Sequence, residues 1–252
     1  MLLYLTHILF SYLKTVFLYE SELVKFPKIR LALLMKGRKL WLVRHGERMD
    51  HVDEIWKQKA KNPYDPPLTE RGRKQAWELA GELSKEQVDV IISSPFLRCV
   101  QTAVIIAEKC GLEIKIEPGA TEWLNEEWFG PTIPEWKSLE ELRDQFPAID
   151  VTYQPIFIPK HPETRFSLKE RARKTMMSLT QERYPLQNIL VVTHGASVEV
   201  LALGLYPKRP VDWVTYCCLT ELVEQDNRQW IPTRICDTSF LSEPEHCCPV
   251  YR

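Results

Sequence analysis

The stretch KLWLVRHGERMD (39–50) joins an apolar run, KLWLV, directly to Arg44, His45, Gly46, Glu47 and Arg48. An apolar run without alternation predicts a strand buried on both faces, and charge at its end predicts a strand that delivers polar groups to one edge of a sheet. The pattern recurs. VDVIISS (88–94) ends in Ser93 and Ser94 with Arg98 shortly after, EIKIEP (113–118) leads to Glu122, and NILVVTHG (188–195) ends at His194.

Between these runs the apolar spacing is helical. LTERGRKQAWELAGELSK (68–85) offers Thr69 as N-cap and Ala76, Leu79, Ala80 and Leu83 as one buried face. PFLRCVQTAVIIAEKCG (95–111) opens near Pro95 and closes at Gly111, and SLEELRDQF (138–146), SLKERARKTMMSLTQERY (167–184) and ASVEVLALGLY (196–206) read as further helices. VDWVTYCCLTELVEQDNRQWIPTRI (211–235) reads as a final strand pair turning near Asp226 and Asn227. Strands alternating with helices predict an α/β fold, a three-layer sandwich with a mostly parallel central sheet and helices on both faces. The expected organisation is an apolar N-terminal extension at 1–35, one domain at 36–236 and a tail at 237–252.

Thirty-three basic residues nearly cancel 34 acidic ones, so no global field favours nucleic acid, and any anion site must be local. Seven cysteines, with no C-x-x-C spacing and two adjacent pairs, fit neither a disulfide framework nor a zinc site, which indicates a reducing, cytoplasmic setting. Residues 2–19 are mostly apolar and about as long as a membrane span, but His7, Ser11 and Lys14 interrupt them. They read as a membrane anchor with the rest in the cytosol, as an amphipathic helix on the domain, or as an extension ahead of a start at Met35, the reading favoured here. Homodimer formation also stays open.

In open α/β sheets ligands bind beyond the carboxyl ends of the strands, which is where Arg44, Arg48, Arg98, His45, His194 and Glu122 collect. Three guanidiniums suit the oxygens of a phosphoryl group, and helix N-termini expected after Gly46, Pro95 and Gly195 would add backbone donors. With no P-loop and no metal-binding carboxylate cluster, neither a metal nor another cofactor is expected, and a side chain must be the nucleophile. A neutral His45 attacking phosphorus would form a phosphohistidine. Glu122 would protonate the leaving group, a role that burial favours and nearby cations oppose, and His194 would donate to the phosphoryl oxygens. Glu126 and Glu127 in TEWLNEEWFG compete for the acid's role. Trp123, Trp128, Phe129 and Trp136 read as core or pocket wall, His51 and His161 as solvent-facing, and the 49–67 segment as a loop facing the substrate.

LVRHGER, SSPFLRCVQTA and VVTHGAS, in this order, resemble the histidine phosphatase, or phosphoglycerate mutase-like, superfamily. Arg48, IEPGATEW (116–123) and DVTYQP (150–155) look most like the phosphatase domains of the suppressor-of-T-cell-receptor-signalling proteins and the ecdysteroid-phosphate phosphatases. The resemblance implies His45 as phosphoacceptor, Arg44, Arg48, Arg98 and His194 as phosphoryl ligands, Glu122 as acid, and no metal. The expected partner is a phosphate monoester, whether a phosphotyrosine protein, a steroid phosphate or another small molecule. A mutase and a non-catalytic phosphate-binding scaffold are the rival readings; Arg48 and Asp50 stand where a mutase would typically carry a small polar residue and Asn.

Overall fold

The computed structural model describes residues 37–208 and 214–244, so the apolar segment at 2–19 and the His246-Cys247-Cys248 run lie outside the described residues. In chain order the strands are β1 (Lys39–Arg44), β2 (Val90–Ser93), β3 (Ile114–Ile116), β4 (Ile189–Thr193), β5 (Leu219–Glu224) and β6 (Trp230–Asp237). The helices are α1 (Trp56–Lys59), α2 (Glu70–Leu83), α3 (Leu97–Cys110), α4 (Glu126–Phe129), α5 (Leu139–Gln145), α6 (Arg165–Met177) and α7 (Gly195–Leu203). The sheet order is β3-β2-β4-β1-β5-β6. Its first four strands are mutually parallel, β5 runs antiparallel to β1 and β6 antiparallel to β5, which agrees with a mostly parallel sheet.

Two cores lie on opposite faces of this sheet, because successive strand residues point to opposite sides. Trp41 and Val43 of β1 pack with Ala76, Leu79 and Leu83 of α2 and with Val100, Ala103 and Ile106 of α3. Leu40 and Leu42 pack with Leu168, Ala172 and Met176 of α6 and Val198 and Leu201 of α7. Each fully buried Val, Leu, Ile or Met side chain among them contributes about 1.5–3 kcal/mol.

Local signals set the helix ends. The Thr69 side chain accepts from Gly72 N at 2.9 Å to start α2, and Gly111, at φ 68°, ends α3 in the left-handed conformation that glycine tolerates best. Two points differ from expectation. No regular helix follows Gly46: Arg48 forms a β-bridge with Leu68, and a single 3-10 turn spans Met49–His51. The bridge ties the loop to Leu68, the residue just ahead of the α2 N-cap Thr69. The packed chain also continues past Asp237, with Leu241 buried against the α2 face of the sheet and the Ser242 N–H donating to Glu78.

Candidate active site

The chain from β1 leaves towards β2 and the chain from β4 leaves towards β5, so a crevice opens where the two strands end side by side. Their ends are level: Arg44 pairs with Thr193, and the N–H groups of His45 and Ser94 donate to Thr193 O and Val192 O, each at 3.0 Å. Gly46 is required here by space. A β-carbon on it would stand 2.4 Å from the Gly72 carbonyl oxygen, and one on Gly72 would stand 2.2 Å from that of Glu47. Two backbones thus touch at the glycines of RHGE and TERG, which holds His45 against the start of α2.

His45 is 1% exposed. Its Nδ1 faces Gly46 O at 2.8 Å, an acceptor, so Nδ1 carries the proton; Nε2 accepts from Arg98 Nε at 3.3 Å and carries the lone pair. Burial, then the charges of Arg98, His194 and Arg44, hold its pKa well below the usual imidazole range. His194, the N-cap of α7, is also fully buried and held well below that range by burial and then Arg98. Its partners assign the opposite tautomer: Nε2 lies 2.7 Å from Ser94 Oγ, and Nδ1 accepts from Arg98 Nη2 at 3.1 Å. Both imidazoles are therefore neutral.

Arg98, in the first turn of α3, is fully buried between these two rings. Burial, then Arg48, lowers its pKa to about 10, which still leaves it charged near neutrality. Its remaining contacts are Tyr64 O at 3.4 Å, the Phe96 ring at 4.4 Å and the Asp65 carboxylate at 4.0 Å. Asp65 accepts from Leu97 N at 2.6 Å, and burial pushes its pKa up to about 6 against the pull of Arg98. Arg44 donates from Nη1 to Val214 O at 2.7 Å and lies 4.2 Å above the Tyr216 ring, while its buried Nε has no acceptor among the described residues. Arg48 grips Asp50 through Nε and Nη2. Burial pushes the Asp50 carboxyl up, but that grip outweighs it and holds the group below its ordinary range.

Glu122 is 8% exposed, and its Oε2 lies 3.5 Å from His194 Nδ1. With His194 neutral this contact is not an ion pair. Donation from His194 to a phosphoryl oxygen would require a proton on Nδ1, and Glu122 is the carboxyl that faces it. Glu126 and Glu127 instead start α4 and are exposed, outside this cluster. The structure therefore brings together all six residues singled out in the sequence.

Other expectations change. His161 lies 3.0 Å from Leu124 O and 2.8 Å from Gly130 O through its two ring nitrogens and so is half-buried and tied to backbone rather than free in solvent. His51 is exposed, yet its Nδ1 is hydrogen-bonded to the Tyr216 hydroxyl, and burial of the ring, then Arg48, lowers its pKa to about 4. The segment expected to face the substrate lines a cavity of about 510 Å³ with Trp56, Lys61 and Asn62, opposite Trp136 and Lys137 and beside Asp65.

Sequence reasoning missed Tyr216, whose ring packs against Arg44 and His45; an aromatic just ahead of a strand antiparallel to β1 was the only signal. It also missed Thr102, which accepts from Gly46 N at 3.2 Å and donates to Arg98 O at 2.8 Å. Among the described residues no group of three His, Cys, Asp or Glu side chains is arranged to hold a metal, and no helix is long and apolar enough to cross a membrane.

The family model described as Histidine phosphatase superfamily (branch 1) matches residues 40–238. The Drosophila melanogaster ecdysteroid-phosphate phosphatase is 28% identical over 85% of this chain and 33% of its own length. The Homo sapiens ubiquitin-associated and SH3 domain-containing protein A is 31% identical over 68% of this chain and 32% of its own length. The chain thus spans about a third of the length of these curated relatives. A solved ecdysone phosphate phosphatase from Bombix mori, in complex with tungstate, superposes with a TM-score of 0.67 at 22% identity, covering 83% of this chain and 97% of that one. With its strand-end histidines and arginines carried on that fold, the chain belongs to the histidine phosphatase superfamily.

Proposed function

We propose that the protein is a phosphomonoesterase that works through a phosphohistidine on His45 and needs no metal, because three guanidiniums supply the cationic charge. The observation that carries this reading is the His45 tautomer: a neutral ring whose Nε2 lone pair points at Arg98, with Nδ1–H anchored on Gly46 O. A phosphoryl group replacing that Arg98–His45 contact meets the nucleophile and a fully buried guanidinium together. Arg44 Nε adds a buried donor without an acceptor, and Arg48, using Nε and Nη2 on Asp50, keeps Nη1 for a phosphoryl oxygen.

Nε2 attacks phosphorus, the ester P–O bond breaks, and the Glu122 carboxyl passes its proton to the departing oxygen. Water then attacks the phosphohistidine, Glu122 takes the water's proton, and the P–N bond breaks to release phosphate and neutral His45. His194 stands between Arg98 and Glu122 and steadies phosphoryl charge once Nδ1 takes up a proton. The phosphate-ester names of the relatives support a phosphate monoester as substrate, whether a phosphotyrosine protein, a steroid phosphate or another small molecule. Five cysteines are free among the described residues, which supports a cytoplasmic setting.

Hydrolysis of an aryl phosphate with chelator present tests the mechanism. Wild type is expected to stay active, and His45→Ala to lose at least about a thousandfold in kcat/KM, since the covalent route disappears. An undiminished rate in the variant would overturn the nucleophile. Phosphoglycerate isomerisation followed in the same preparation would reveal a mutase.

A further inference from the structure

Beneath the Glu122 segment lies a second buried charge cluster that the proposed chemistry does not touch. Arg171 of α6 is 1% exposed, and its guanidinium forks onto Glu163 through Nε to Oε1 at 2.7 Å and Nη2 to Oε2 at 2.8 Å. The remaining donors go to backbone carbonyls: Nη1 to Gly119 O at 2.8 Å and Thr121 O at 3.1 Å, and Nη2 to Glu122 O at 3.0 Å. Glu163 grips the next residues in turn. Its Oε2 accepts from Leu124 N at 3.0 Å, its own N–H donates to Leu124 O at 2.7 Å, and its carbonyl accepts from the Trp123 indole at 3.0 Å.

Residues 119–124 have no regular secondary structure beyond the 3-10 turn at Pro118–Ala120, and the local contact on the Glu122 carboxylate is the Trp123 N–H donating to Oε1 at 3.1 Å, so where Glu122 points depends on how the backbone of 121–124 is held. The carbonyl of Thr121 is also held from the other side by Ser197 Oγ of α7 at 2.6 Å, three residues beyond His194. One end of the clamp is therefore α6, and the other is the helix that His194 caps. A guanidinium is the one side chain able to bridge a carboxylate and several carbonyls in a single plane.

We propose that Arg171 and Glu163 are positioning residues for Glu122: their ion pair clamps the backbone before, at and after it, and so sets the carboxyl against His194. The proposal rests on the reading of Glu122 as the acid. A clamp of this kind adds nothing to phosphate binding; it matters in proportion to how much the leaving oxygen needs a proton.

Leaving-group selectivity is the test, read as kcat/KM for phenyl phosphate against para-nitrophenyl phosphate, whose phenolate leaves with little help. Arg171→Lys and Glu163→Gln, in the full chain, keep a cation or an acceptor in place while losing the planar clamp. Each is expected to lower the phenyl phosphate value about tenfold or more and the nitrophenyl value less than about threefold, with inhibition by inorganic phosphate unchanged. Glu122→Gln should show the same selectivity, and adding Arg171→Lys to it should cost nothing more on the ratio. Equal losses on both substrates in the clamp variants, with Glu122→Gln selective, would overturn the clamp alone. A Glu122→Gln variant without selectivity would remove the acid, and the clamp's role with it. Should Arg171→Lys fail to fold, Glu163→Gln carries the same test.

Discussion

Arg98 and Arg171 are both buried guanidiniums, and the company they keep is opposite. Arg171 has a bidentate carboxylate and three backbone carbonyls, so its charge and its donors are answered within the protein. Arg98 has two neutral imidazoles, one carbonyl at 3.4 Å and a carboxylate no nearer than 4.0 Å. Burying a cation costs free energy unless it is paired, so an underpaired one is kept for a ligand, whereas a fully paired one is part of the frame. The comparison separates the ends of β1 and β4, the proposed phosphate site, from the strut under the Glu122 segment, although both are lined with the same kinds of residue.

Swapping each arginine for methionine puts the contrast at risk most directly. Arg171→Met leaves Glu163 buried and unpaired and is expected to cost about 3–5 kcal/mol in denaturant unfolding. Arg98→Met should leave the midpoint nearly unchanged while kcat/KM falls about a thousandfold, in line with loss of a preorganised donor. Equal destabilisation by the two would end the distinction. Gly46→Ala tests the contact that holds His45 in place: its β-carbon meets the Gly72 carbonyl at 2.4 Å, and backbone cannot yield as a side chain does. A loss of about 1–3 kcal/mol is expected, together with reduced turnover; wild-type stability would show that the two backbones separate freely.

The smallest effect concerns pH. His45 titrates well below 6.5 when folded and near 6.5 when unfolded, so below pH 6.5 the unfolded chain binds the extra proton. Stability is therefore fully present above 6.5 and declines as pH falls towards the folded value. Unfolding curves at pH 7 and pH 5 should show wild type losing more than His45→Gln, which retains the contributions of His194 and His51. Parallel losses would mean that His45 is not held neutral by its surroundings.

Much of this was legible in the sequence because it depends on neighbours along the chain. KLWLV, VDVIISS and NILVVT announce buried strands by composition, Thr69 and Gly111 mark helix ends through their own backbone chemistry, and the histidines and arginines stand directly after those strands. The choice of Glu122 over Glu126 and Glu127 was only partly legible, resting on its place after EIKIEP and on the family resemblance. All three lie within six residues, and what distinguishes Glu122 is its approach to His194, 72 positions away, across a segment gripped by α6. The same holds for Asp50 restraining Arg48, for Tyr216 beneath Arg44, and for the helix expected after Gly46, which yields to a bridge with Leu68.

By itself the sequence determined the α/β class, the order of its elements and the cluster of cations and imidazoles at the strand ends, since periodicity, capping and composition act over a few residues. Only the tertiary structure decided which carboxyl meets the histidines, which ring nitrogen of each carries its proton and which buried arginine is already paired. Those outcomes depend on strand register and helix packing, which bring distant polar groups within hydrogen-bond reach where water is excluded and an unpaired charge is most costly.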